Sequence, residues 1–288
     1  MKLSFVRRVA LFLLLYTGVS KAFLAESDGF QIVNSKVVTI DSTVLGRKYD
    51  LFIKLPHDYF WEKSRLKKYP VLYLNDGPHT FKVAAGVTHF REMDRVIVVG
   101  VSFAHGENGQ YSRVRDLTPV VDDTWTKYKT GGAPSYLEFF EDEVISYIED
   151  NYRANSDQRI LSGHSLGGSF GTWVLLTKPD LFSNYILTSP SLWYKNNWIF
   201  DVEKKFFSKS KLLDANVYFA TGALETLKHG MRHNMVNGQV KFVKQLRSRD
   251  YQGLTLEEDV VNGTDHYSTY PVGLSKGLMF IYKQLSLP

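Results

Sequence analysis

The sequence predicts an α/β fold, with a mostly parallel central sheet and helices on both faces. Three observations carry this: strand-type runs alternate with helix-type runs, the strand-type runs are nearly continuously apolar, and a glycine-flanked serine sits where one strand run passes into a helix run. Continuous apolarity means that a strand is covered on both faces, and the intervening helices supply the crossovers a parallel sheet requires.

Strand-type runs rich in Val, Ile, Leu and Tyr fall at 37–40, 49–55, 71–74, 96–101, 159–161, 185–187, 217–220 and 254–260. The clearest helix is 135–150. Ser135 stands three residues before Glu138, the spacing of a capping box, and Tyr136, Phe140, Val144 and Tyr147 recur at three or four to form an apolar stripe. Further helices are expected at 165–177, 238–249 and 272–285. Two stretches break the rhythm and read as loops or small insertions: 103–134, with Gly106, Gly109, Pro119, Gly131, Gly132 and Pro134, and 189–210, rich in Trp and Tyr. Long connections in such folds are usually functional. No repeat, low-complexity tract or linker divides the chain, so 23–288 reads as one domain.

With 288 residues, 44% of them hydrophobic, the chain can bury a sizeable core, which excludes a disordered or fibrous protein. The net charge of +5 is concentrated at the start. Lys2, Arg7, Arg8 and Lys21 lie in the first 22 residues, and removing these four from the 35 basic residues leaves 31 against 30 acidic, a net +1. The basic balance therefore does not point to nucleic acid, and no nucleic-acid partner is expected. The absence of cysteine excludes disulfides, thiolate metal sites and a cysteine nucleophile.

Residues 1–22 have the parts of a secretory signal: a basic start ending in Arg7-Arg8, an apolar run at 9–16, and small residues around Ser20-Lys21-Ala22. Cleavage after Ala22 is expected, giving an exported, periplasmic chain that starts at Phe23. A membrane anchor is the competing reading, but the apolar run is well short of the roughly 20 residues needed to span a bilayer. No later segment is long and apolar enough to span. A cysteine-free exported chain fits a bacterial envelope better than a disulfide-stapled setting.

Gly163-His164-Ser165-Leu166-Gly167 is a G-x-S-x-G sequence placed directly between a strand run and a helix run. A serine on so sharp a turn is held in a strained backbone, so its neighbours must lack colliding side chains; Gly163, Gly167 and Gly168 meet that need. The following helix directs its N-terminus at the site and favours negative charge there. Ser165 is the candidate nucleophile. It requires a base, and of the eight histidines His266, in a loop after the last strand and before the last helix, is best placed to reach over the strand ends. His57, His79, His89 and His105 precede the serine, and His164 is expected to point away from it. His229 and His233, four apart, have a spacing that suits a metal but lack a carboxylate in their own motif; a solvated face is expected, and no metal or cofactor.

The third member should be a carboxylate between the two. Glu225, just after the strand at 217–220, is the best candidate, with Asp259 and Asp265 competing. An oxyanion hole needs two backbone N–H groups: Leu166 after the nucleophile and one from Asn75-Asp76-Gly77-Pro78-His79. Pro78 has none, so Gly77 is first choice and His79 second.

Taken in order, Asp76-Gly77 with Phe81, Arg113-Val114-Arg115-Asp116-Leu117-Thr118-Pro119, Gly131-Gly132 leading to Phe139-Phe140 and Glu143, Gly163 to Gly168, Ser189-Pro190-Ser191-Leu192-Trp193, Gly222 with Glu225, and Asp265-His266 resemble the putative-esterase branch of the α/β-hydrolases, over about 30–282. That group contains trilactone siderophore esterases. The resemblance implies an α/β-hydrolase fold and a serine hydrolase with Ser165 and His266 as nucleophile and base. Pro78 departs from the group's pattern.

The expected function is carboxylic ester hydrolysis of a small-molecule substrate through an acyl-enzyme. Acyl transfer or thioester cleavage by the same nucleophile, and a binding protein with a dead site, are the alternatives. For a bulky anionic trilactone the candidate contacts are Trp193 and Trp198, in a loop that is either a pocket wall or a cover for the sheet, and Arg113 and Arg115, which meet either an anionic ligand or a nearby acid. The sequence does not indicate an oligomeric state.

Overall fold

Apolar strands drive an eight-stranded sheet in the order β1-β2-β4-β3-β5-β6-β7-β8. The computed structural model describes residues 31–90 and 92–285, and those from Ile32 onward fall in one compact unit. The leader and the new start at Phe23 lie outside the described residues. Along the chain run β1 (Ser35–Ser42), β2 (Arg47–Lys54), β3 (Tyr69–Leu74), α1 (Gly77–Val87), β4 (Ile97–Val101), α2 (Gly109–Leu117) and α3 (Ala133–Phe139). A π-helical turn (Phe140–Ile145) and α4 (Ser146–Asn151) follow, then β5 (Ala154–His164), α5 (Leu166–Thr177), β6 (Asn184–Thr188), α6 (Tyr194–Phe207), β7 (Leu212–Gly222), α7 (Met235–Arg247), β8 (Gln252–Val261) and α8 (Thr269–Gln284). β1 and β2 are antiparallel to each other and β2 to β4; every other pair is parallel. Each expected strand overlaps one of these eight.

Alternate residues of β3 divide the core. Val71 and Tyr73 join the cluster beneath α2, α3 and α5, whereas Leu72 and Leu74 join the one beneath α1 and α8. All six residues of β3 are buried, as a strand covered on both faces requires. Each such fully buried large apolar side chain contributes about 1.5–3 kcal/mol.

Two expectations need correcting. The helix expected at 135–150 starts earlier, with Gly132 as its cap and no side-chain capping bond, so Ser135 and Glu138 form no capping box. Pro134 explains the shift: in the first turn it lacks only an N–H that would be unpaired anyway. The stripe is real, with Tyr136, Phe140 and Val144 buried. The two expected loops, moreover, contain helices. α2 lies in the first, capped by Asn108 accepting from the Gln110 N–H. α6 lies in the second and opens on three consecutive left-handed residues, Lys195, Asn196 and Asn197. Helix α1 was not among the expected elements.

The parallel strands all point the same way, so the C-terminal ends of β3, β5, β6, β7 and β8 meet along one edge. That edge is where open α/β sheets bind ligands.

Candidate active site

β5 ends at His164, and the chain turns into α5 through Ser165 at φ 59°, ψ −115°. A positive φ in a non-glycine residue is strained, and the surroundings hold it: the Ser165 N–H donates to Thr188 O at 3.0 Å, and its carbonyl accepts from the Ser191 N–H at 3.1 Å. A Cβ on Gly163 would lie 2.1 Å from Gly167 O, so only glycine fits there. Gly168 is constrained less, since a Cβ there would lie 3.0 Å from Pro190 Cα and from Thr188 O. Gly167 is not required on this ground, since a Cβ there would meet nothing nearer than 3.5 Å. Gly163→Ala is therefore expected to lower stability by about 1–3 kcal/mol through overpacking, whereas Gly167→Ala, in a helix, should be neutral or stabilising. Thermal denaturation of the two variants side by side checks this contrast.

Three strand-end loops bring together Ser165, His266 and Glu225. His266 Nε2 lies 3.0 Å from Ser165 Oγ, and His266 Nδ1 lies 2.6 Å from Glu225 Oε2. Glu225 is fully buried, and its other oxygen accepts from Ser189 Oγ at 2.6 Å, the Gly222 N–H at 2.7 Å and Thr269 Oγ1 at 3.2 Å. Burial alone pushes this carboxyl up, but the hydrogen bonds from His266, Ser189 and Gly222 outweigh it and hold it below the ordinary glutamate range. The competing acids are engaged elsewhere: Asp259 with Lys276, and Asp265 with Ser268 and the Tyr267 N–H.

His164 does not simply turn away. Its ring packs against that of His266 at 4.7 Å between centroids, and its Nδ1 lies 3.0 Å from Thr188 Oγ1. Burial, and then the neighbouring His266, push its pKa down to about 3, so it is a neutral wall for the His266 ring. Ser189, Thr269 and this role of His164 were missed. The only sequence signal for Ser189 was its place in Ser189-Pro190-Ser191.

The first residues of α1 and α5, Gly77 and Leu166, have N–H groups with no preceding helical carbonyl to bond. Asp76 is left-handed at φ 57°, and its carbonyl accepts the N–H groups of both His79 and Thr80. His79, the second candidate, is thus engaged, which leaves Gly77 from that turn. The turn adjoins α5, which follows Ser165, because a Cβ on Gly167 would be 3.5 Å from Asn75 Cβ.

Arg113 and Arg115 pair with carboxylates and do not line the groove over Ser165. Arg113 clamps Asp76 with two bonds, Nε to Oδ1 at 2.9 Å and Nη2 to Oδ2 at 3.0 Å, which braces the Gly77 turn. Arg115 grips Asp116 and Glu107. The ligand reading is corrected for both, since planar guanidinium–carboxylate pairing satisfies them within the fold. Trp198 is corrected too: it lines a separate cleft with Trp173 and Phe206.

Trp193 does border the groove over the candidate triad, a cavity of about 790 Å³ that reaches Ser165 and His266. It is the middle of an aromatic stack. His233 lies on it at 3.9 Å and 7°, and Trp125 at 6.1 Å and 16°. Around the stack stand Lys127, Lys195 and Arg232, with Asp122 3.6 Å from Lys195. Burial, and then Arg232, hold the pKa of His233 below the ordinary histidine value, so at neutral pH it stacks as an uncharged ring. His229 meets Thr226 at 2.9 Å whereas His233 stacks on Trp193, so the two histidines take different partners.

Residues 42–281 match the family described as Putative esterase. Ferri-bacillibactin esterase BesA of Bacillus subtilis is 30% identical over 271 residues, covering 88% of this chain and 91% of that protein. Among solved structures, the BES protein from Bacillus cereus has a TM-score of 0.78 at 28% identity, covering 90% of this chain and 99% of that one. An IroE-like serine hydrolase from Shewanella oneidensis has a TM-score of 0.77 at 25% identity, covering 88% and 82%. The chain therefore belongs to the Putative esterase family, and it is an ester hydrolase with the α/β-hydrolase fold.

Proposed function

We propose that the chain hydrolyses the ester bonds of catecholate-bearing trilactone siderophores through an acyl-enzyme on Ser165. The observation that carries the mechanism is the pair of contacts on His266, 3.0 Å to Ser165 Oγ and 2.6 Å to Glu225. Ser165 Oγ attacks the acyl carbon while its proton passes to His266 Nε2, and Glu225 holds the opposite N–H and stabilises the imidazolium. The N–H groups of Leu166 and Gly77 receive the oxyanion. His266 then protonates the leaving alcohol, and water, activated by the same imidazole, releases the acid. Side chains, these two backbone N–H groups and water carry the steps.

The substrate class rests on the groove and on the relatives. Catechol rings match the Trp125–Trp193–His233 stack, and their negative charge, with that of a chelated complex, matches Lys127, Lys195 and Arg232. The relative named ferri-bacillibactin esterase supports the same class. Export through the leader would place the enzyme in the periplasm.

Steady-state kinetics on two substrates test this reading. Trp193→Ala should raise KM for a catecholate trilactone about tenfold and leave p-nitrophenyl acetate nearly unchanged, because only the large ligand reaches the stack. Arg113→Ala should instead affect both substrates alike, since it loosens the Asp76 turn. Indifference of the wild type to trilactones, with good cleavage of simple esters, would remove the siderophore assignment and leave the esterase.

A further inference from the structure

The end of the sheet opposite the groove carries a surface that the esterase reading does not use. Between β2 and β3 the chain reads Tyr59-Phe60-Trp61-Glu62-Lys63-Ser64-Arg65-Leu66-Lys67-Lys68, with four cations and one acid in ten residues. Apolar side chains project from it: Phe60 is 70% exposed and Leu66 88%. Trp61 is exposed beside them, its ring 5.0 Å from His57 and under the Lys63 ammonium at 4.6 Å. Residues of the turn before β4 line one cleft with this segment, and Phe90, just before that turn, is exposed as well. The chain enters the fold at the same end, where the Leu55 N–H donates to Asn34 O and Val33 is exposed. Five of the fourteen exposed large apolar side chains among the described residues, Val33, Phe60, Trp61, Leu66 and Phe90, thus gather at one end.

We propose that this surface docks the enzyme on an anionic lipid bilayer, with Phe60 and Leu66 entering the headgroup region and Lys63, Arg65 and Lys68 meeting the lipid phosphates. The two kinds of residue together select the partner. Cations alone would suit any polyanion, but apolar and aromatic side chains rimmed by lysines match the layered polarity of a membrane surface. Arg65 is in an exposed pair with Glu62 at 3.5 Å, a contact weak enough for a lipid phosphate to displace, and Lys67 contributes less, because it is paired with the less exposed Asp58 at 3.0 Å. The segment lies at the N-terminal ends of the parallel strands and the triad at their C-terminal ends, so docking leaves the groove open to solution. Among the described residues no helix is long and apolar enough to cross a membrane, so the contact is peripheral.

The test uses the full chain with vesicles of phosphatidylcholine alone or mixed with phosphatidylglycerol, read by co-sedimentation and by hydrogen exchange of the 59–68 peptide. Local exchange separates this surface from any contribution of the leader. Anionic vesicles should slow exchange in that peptide and neutral ones should not, with protection lost in high salt. The double variant Phe60→Ser, Leu66→Ser should lose the protection and bind the anionic vesicles on the order of tenfold more weakly, with unchanged turnover of p-nitrophenyl acetate. Unslowed exchange at 59–68 on anionic vesicles that the chain does bind overturns the proposal, as does wild-type vesicle binding by the double variant. A nucleic acid that slows exchange at 59–68 where anionic vesicles do not would also overturn it, by reassigning the surface to a different polyanion.

Discussion

Ser165→Ala is expected to lower kcat by on the order of 10⁴-fold or more, and His266→Ala to do the same, because in the proposed mechanism neither the nucleophile nor its base functions alone. The double variant loses little further. This non-additivity distinguishes a catalytic pair from two residues that each support the fold, whose effects would multiply. Circular dichroism and melting temperatures close to wild type are expected, since Ser165 Oγ makes only its contact with His266 and a long one of 3.4 Å to Ser191. Hydrolysis of p-nitrophenyl acetate is the readout, and full activity in Ser165→Ala would contradict the mechanism.

The second large effect belongs to Glu225→Gln, expected to reduce kcat by on the order of 10³-fold. An amide in place of the carboxylate can present its NH₂ to His266 Nδ1, which favours the tautomer with the proton on Nε2 and removes the base facing Ser165. The amide must also serve Ser189, Gly222 and Thr269, which all donate to one carboxylate oxygen. The stability effect has a definite sign. Because the folded carboxyl titrates below its ordinary value near 4.3, it contributes stability that is present above that value and lost as pH falls through the lower folded one. Glu225→Gln should therefore be less stable than wild type at neutral pH, with the difference narrowing below about pH 4. Denaturant titrations at pH 7 and pH 3.5 measure it. A difference that widens on acidification would mean that the folded carboxyl titrates above its ordinary value, contrary to its hydrogen bonding.

The arrangement of Ser165, His266 and Glu225 was largely legible in the sequence, because the three sit on features with strong local signals. Alternating or continuous apolar runs marked all eight strands, and the strand-to-helix position of Ser165 and the strand-end positions of Glu225 and His266 followed from them. The helices that escaped notice lack such a signal. α2 is nine residues with few apolar positions, α1 opens on Gly77-Pro78, which reads as a turn, and α6 begins in left-handed backbone that no helical period anticipates. Long-range pairing was equally hidden. Arg113 looked available to a ligand because its partner Asp76 lies 37 residues earlier. The cations that do border the groove, Lys127, Lys195 and Arg232, come from irregular segments without a motif. Trp193 and Trp198 are five residues apart, yet the left-handed turn between them sends one to the groove and the other to a different cleft.

Covalent trapping tests the central claim most directly. The purified chain, treated with a fluorophosphonate and analysed by mass spectrometry, should carry one phosphonyl group, located on Ser165, with loss of esterase activity in proportion to labelling. His266→Ala should label far more slowly, and Ser165→Ala not at all. A fully phosphonylated chain that still hydrolyses ester, or inactivation that tracks a label on another residue, would contradict the assignment of Ser165 as the nucleophile.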